Sequence, residues 1–290
     1  MMRYSSVGLL SLLFLTTVNI SGVPTSPQPQ HKQTCNTIDK QNPINSETKN
    51  LRASPPLMVK NFITVNSQSL PNISAVPLSP VGAMGTTQYI IGTNDGIRSY
   101  SRATGVADQA LNSSLTAFFQ LSSIPAGIEI GVQIKFDRFS NRWFVLGAAD
   151  PFVGPFPMTL FLATSNSDVI TSCSTWSIST IVVDPSGNNF INEVPSLGID
   201  SNAVYIGINL YNNNTGNFTG SNAYVLPKNT NLYAGTPDVY TFTNVGTPTG
   251  GMFTPIGVDN FDTDPEFGYF VGVDVVDLSS MVLHVCLCCG

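Results

Sequence analysis

The sequence predicts an all-β chain: a β-propeller of about four blades of antiparallel meander, incomplete at its end, with a two-sheet β-sandwich as the alternative. Three observations carry this. Charged residues make up 10% of the 290, far below the roughly 25% of an ordinary globular chain, and Gly, Pro, Ser, Thr and Asn fill the difference. Outside the N-terminus no long stretch repeats apolar residues at helical spacing. And one unit recurs every 45–65 residues or so, as GVQIKFDRFSNRWFV, SLGIDSNAVYIGI and PIGVDNFDTDPEFGYFVGVD, each an apolar strand, an Asp-containing turn and an aromatic return strand. A period of that order points to an array of meanders.

Residues 1–22 read as a signal peptide. Arg3 supplies the positive start, VGLLSLLFLTTV at 7–18 the apolar stretch, and Ser21-Gly22 the small residues after it. The apolar stretch is too short to span a bilayer comfortably, so no membrane span is expected once it is removed. The expected location is outside the cell or in its envelope. Residues 23–75 lack apolar periodicity and read as a disordered linker and entry segment, with a short strand at Phe62–Val65. The array is expected over 76–283.

Within it, QYIIGTNDGIRSY at 88–100 is a hairpin turned at Asn94-Asp95-Gly96. A long, weakly patterned loop follows, to about Gly127. In Val132–Asp137 alternate residues are apolar, the signature of a half-buried strand. Asp137 and Asn141 flank a polar turn whose backbone they can hydrogen-bond, and RWFVL at 142–146 returns. Met158–Thr164 and Thr175–Val183 are further strands. Leu197–Asn209 is a hairpin turned at Asp200-Ser201-Asn202. Ala223–Leu226, Asp238–Phe242 and Gly268–Val275 complete the set. Residues 284–290, HVCLCCG, are unlike anything before them and read as an atypical tail, as if the product were truncated or frame-shifted.

Charge excludes several functions. After Arg142 the only Lys or Arg is Lys228, against twelve Asp and Glu. A phosphate-backbone binder needs several converging cations, so nucleic acid is not an expected partner. The two histidines, His31 and His284, fall in the linker and the tail, which leaves no Ser-His-Asp arrangement and no His-based zinc site in the array. Five cysteines, Cys35, Cys173, Cys286, Cys288 and Cys289, leave one unmatched, and nothing in their spacing supports a pairing such as Cys35 with Cys173.

Five segments resemble secreted bacterial β-propeller proteins, loosely sialidase-like: VGAMGTTQYIIGTNDGIRSYSRATG, IKFDRFSNRWFVLG, LFLATSNSD followed by STWSI, EVPSLGIDSNAVYIGINLYN and NAYVLPKNTNLYAG. The resemblance covers about 76–280 and implies an exported propeller, not a particular reaction. Two departures count against sialidase activity. Asp168 lies eight residues from Trp176, too far for an Asp-box, and its glycine is missing. The arginine triad that holds a sialic carboxylate cannot be assembled across the ring without arginines beyond 142. Arg98, Arg102, Arg138 and Arg142 read instead as turn and strand-edge residues.

No catalytic or cofactor-binding residue is assigned. Glycoside hydrolysis would rest on Glu129, Glu193 and Glu266, and two of them would have to converge within roughly 5–10 Å. Asp259, Asp262, Asp264 and Glu266, in VDNFDTDPEFG, are hard oxygen ligands that could hold Ca2+, although their spacing is not that of an EF-hand and an acidic turn is the plainer reading. The expected function is an exported, non-enzymatic module that binds an extracellular protein or glycan. A degenerate glycan hydrolase using carboxylates only is the alternative, and a truncated product without independent function is a third.

Overall fold

The computed structural model describes residues 80–93, 96–121, 130–149, 158–191, 193–274 and 281–286. The signal peptide expected at 1–22, the linker and entry segment expected at 23–75 with the strand at Phe62–Val65, Asn94-Asp95 of the expected hairpin turn, and the last four residues lie outside the described residues.

The chain is all-β with antiparallel sheets. The first sheet is a meander of β1 (Val81–Met84), β2 (Gln88–Gly92), β3 (Gly96–Ser101) and β4 (Ala107–Ser114), followed by a single turn of helix, α1 (Leu115–Phe118). The second repeats the plan with β5 (Ile130–Asp137), β6 (Arg142–Ala149), β7 (Met158–Ser165) and β8 (Trp176–Asp184). After the two-residue β9 (Asn189–Phe190) comes the third meander: β10 (Ser196–Ile199), β11 (Ala203–Asn212), β12 (Phe218–Pro227), the short α2 (Thr230–Ala234) and β13 (Tyr240–Thr247). The fourth has β14 (Gly250–Gly257), β15 (Gly268–Asp274) and β16 (Met281–Cys286). Only the end of β13 pairs with β14, through Gly246↔Gly251 and Thr247↔Gly250, so the third and fourth meanders share one ladder but turn a corner.

The three repeated units are the opening hairpins of the second, third and fourth meanders. The first strands of all four meanders lie side by side in sequence: β1 against β5, β5 against β10, and β10 against β14. They run in the same direction. Ser196 Oγ donates to the Pro255 carbonyl at 2.7 Å, and further along the Ile199 amide donates to Asp259 Oδ1 at 3.1 Å.

A separate apolar core fills each gap between successive sheets. Ile90, Ile97, Leu111 and Phe119 meet Val132, Ile134, Trp143 and Val145 between the first and second. Phe144, Leu146, Leu160 and Leu162 meet Leu197, Val204, Ile206 and Tyr224 between the second and third. Tyr205, Ala223 and Val225 meet Met252 and Phe270 between the third and fourth. Strand β6 therefore sends Trp143 and Val145 one way and Phe144 and Leu146 the other, and its unbroken apolar run is that of a strand buried on both faces.

Three expectations are corrected. The weakly patterned loop contains β4 and α1: β4 is polar because only Leu111 of its eight residues is buried, and it bulges at Gln109, where φ is 61°. The strand expected at Asp238–Phe242 runs instead over Tyr240–Thr247. The last strand continues to Cys286, past the Leu283 boundary and into the expected tail.

Candidate functional site

Because the first strands are parallel and each meander alternates direction, the turns after every first and third strand fall at one end of the array. The turn aspartates gather there. Asp137 closes the β5–β6 turn by accepting the Phe139 amide at 3.1 Å and the Ser140 amide at 3.2 Å, as the sequence suggests, while Asn141 takes φ 53°. Asp200 does the same for β10–β11: Oδ1 accepts the amides of Asn202 at 2.7 Å and Ala203 at 2.8 Å, and Oδ2 accepts the Tyr205 hydroxyl at 2.6 Å.

Lys228 joins these turns. Its ammonium lies 2.7 Å from Asp137 Oδ2, both side chains at most 3% exposed, and it also donates to the Asp200 carbonyl. Burial pulls the Lys228 pKa down, opposed by the hydrogen bond and charge of Asp137. Nothing in the local sequence marks this role, since Lys228 follows β12 and Asp137 ends β5.

The calcium candidates separate here. Asp259 Oδ2 is paired with Lys135 at 2.5 Å, and its Oδ1 takes the Ile199 amide. Asp262 accepts the Asp264 amide at 3.2 Å, a turn-forming bond, and Asp262, Asp264 and Glu266 are exposed. Among the described residues no three His, Cys, Asp or Glu side chains are grouped as metal ligands. Phe261 in the same loop is 61% exposed, and the Arg138 guanidinium lies 4.4 Å over its ring.

The arginines are structural groups, although not all at edges. Arg98 is buried within β3, its Nε and Nη2 donating to Asn112 Oδ1 at 3.0 and 2.6 Å. Arg142 donates to the Ser165 carbonyl at 2.6 Å and lies over Tyr233. Arg102 donates to the Gly85 and Thr86 carbonyls. The loop compared with an Asp-box joins β7 to β8: Trp143 Nε1 donates to the Asp168 carbonyl at 2.8 Å, and the Asp168 carboxylate accepts from Thr86 at 3.1 Å. Cys173 in this loop is a free, exposed thiol.

Among the described residues, Glu193 and Glu266 do not converge as a pair. Glu129 lies outside the described residues. Glu266 follows Pro265, whose carbonyl accepts Asn202 Nδ2 in the β10–β11 turn. Glu193 is bound at the far end of that hairpin, its Oε1 accepting the Tyr211 hydroxyl at 2.8 Å and its Oε2 accepting Asn209 Nδ2 at 3.2 Å. Between Ala203 and Tyr211 the strand rises about 27 Å. Partial burial and the bond to Glu193 push the Tyr211 pKa up to about 12. Asn209 also donates to Thr254 Oγ1 at 2.9 Å, and its Oδ1 accepts the Thr254 amide at 2.9 Å and the Ser221 hydroxyl at 2.7 Å. Sequence reading singled out Glu193 but not its partners, Asn209 and Tyr211 of β11, nor Ser221 of β12 and Thr254 of β14, which hold Asn209.

Among the described residues no helix is long and apolar enough to cross a membrane. Comparison with known proteins finds no family model and no curated protein that matches the chain.

Proposed function

We propose that this chain is an exported, non-enzymatic module of β-propeller type that binds a protein or glycan outside the cell. The observation that carries the proposal is the serial arrangement of the four first strands with a separate core in every gap. A two-sheet sandwich encloses one core between its two sheets; four meanders separated by three cores suit blades stacked about an axis. Such an array presents loops at two ends while its strands stay fixed, a common basis for recognition surfaces. The non-enzymatic reading is supported by the polar groups at the turn end, where Asp137, Asp259, Lys135 and Lys228 hold sheets together and the Asp200 carboxylate closes its own turn.

Export follows from the character of residues 1–22. The test is expression in a secreting host and mass spectrometry of the medium. The proposal expects a protein whose N-terminus lies close after residue 22; an uncut chain retained in the cell contradicts it. Calcium remains a lesser part of the proposal. With Asp259 held by Lys135, it falls to Asp262, Asp264 and Glu266, and a melting temperature that does not rise with added Ca2+ overturns it.

A further inference from the structure

At the end of the array away from Asp137, Asp200 and Asp259, four aromatic rings form a row across strands. Phe190 of β9 and Phe218 of β12 are paired in register with Tyr211 of β11. Ring centroids are 5.8 Å apart for Phe190–Tyr211, 5.9 Å for Tyr211–Phe218 and 5.2 Å for Phe218–Phe253. Phe190 is buried and anchors the row, whereas Tyr211, Phe218 and Phe253 remain partly exposed. Beside them stand the exposed Glu193 carboxylate and the Asn209 carboxamide, locked to each other and to Tyr211. Thr254, which holds Asn209 from β14, sits at φ 52° in a ladder irregularity between Phe253 and Ile256. A β-branched residue in that conformation is strained, and strain of this kind persists where the surroundings enforce it.

We propose that Glu193, Tyr211, Phe218 and Phe253, positioned by the buried Asn209, form a binding site for a neutral saccharide. This deepens the binding-module reading and rests on it. A pyranose has an apolar face of C–H bonds and a rim of hydroxyls. Half-exposed aromatic rings match the first, and rings of this kind contribute most when they lose water. A carboxylate with unused lone pairs accepts hydroxyl protons, and both of its oxygens are already oriented by Tyr211 and Asn209. Tyr211, Phe218 and Phe253 stand on strands, and Glu193, between β9 and β10, is held by two hydrogen bonds, so little ordering is required on binding. The groups named include no Lys or Arg, and Glu193 is itself negative, so an anionic ligand does not suit this site.

The test is calorimetric titration of the full chain with neutral hexasaccharides of glucose, mannose and N-acetylglucosamine, and with tetramethylammonium as a cationic probe of the same rings. At least one saccharide binds. Tyr211→Ala and Glu193→Gln each weaken it by about tenfold or more, with Glu193→Gln keeping the wild-type melting temperature. Phe261→Ala, at the opposite end, leaves it unchanged. Saccharide binding that survives both site variants overturns this assignment alone and leaves a module with its site elsewhere. Binding of tetramethylammonium without any saccharide, or of neither, overturns the saccharide assignment whether or not the chain is exported.

Discussion

Lys228 and Lys135 make the same kind of bond in different surroundings. The Lys228–Asp137 pair is almost wholly buried, whereas the Lys135–Asp259 side chains are about one-third exposed. Removing one partner of a buried pair leaves a desolvated charge, so Lys228→Met is expected to cost about 3–5 kcal/mol. Lys135→Met is expected to cost less than about 1 kcal/mol. Equilibrium denaturation separates them, and equal costs would contradict the burial difference. Two other hydrogen-bonded aspartates, Asp108 in β4 and Asp184 at the end of β8, set the acid limit. Burial raises the pKa of Asp108 and Asp184, but hydrogen bonds to Ser99 and Gln88, and to Ser186 and Asn189, outweigh it and bring both below the usual value. Each binds a proton less readily folded than unfolded, so its stabilisation is complete above about 3.9 and is lost as pH falls through the lowered folded value. Melting temperature followed downward from about pH 5 should fall less steeply in Asp184→Asn than in the wild type; parallel curves would refute the assignment. The turn role of Asp137 is legible in the sequence because its partners are its own neighbours. The role of Lys228 is not, because only the assembled sheets bring it to Asp137.

The elements that could be read from sequence are those with a buried face. β5, β7 and the β10–β11 hairpin announce themselves through apolar spacing and Asp- or Asn-bearing turns. The outer strands do not. β4 has a single buried residue, and β13 has only Gly246, so water and not a core chose their side chains. α2 is too short for a periodic signal. Its ends are written plainly, however: Asn229 caps the amides of Asn231 and Leu232, and Gly235 closes it at φ 85°, the residues each position favours. The gaps between elements also impose a sequence requirement. A Cβ on Gly207 would run into the Pro255 carbonyl, and one on Gly257 would lie 2.7 Å from the Tyr205 Cβ, so β11 and β14 approach through glycine. Gly207→Ala is expected to destabilise by about 1–3 kcal/mol, whereas Gly216→Ala, with open space around it but φ 68°, should cost about 1 kcal/mol from backbone strain. Denaturant midpoints of the two variants check the order, and a harmless Gly207→Ala would mean that the sheets stand further apart.

At the scale of the molecule, four units of one plan are stacked by the same means: a parallel set of first strands, one core per gap, and polar bonds across each gap. The sequence repeats point to the serial plan, since three hairpins echo one another. They do not disclose how the gaps are closed, because Gln88 holding the Ile170 backbone by two bonds, Lys228 and Asp259 all join residues distant in the chain. The functional proposals depend on this serial packing, which puts Asp137, Asp200 and Asp259 at one end and the aromatic row with Glu193 at the other. The gap between the second and third units offers the most direct test. A Cβ built on Gly131 of β5 lies 3.6 Å from the Val194 Cβ ahead of β10, within the roughly 3.5–4.5 Å that a disulfide spans. In a Cys173→Ser background, Gly131→Cys with Val194→Cys should form this bond on mild oxidation. Peptide mapping by mass spectrometry should then find the 131–194 link in most of the monomer. Two free thiols at these positions, in protein that melts like the wild type, would contradict the side-by-side first strands and the array built on them.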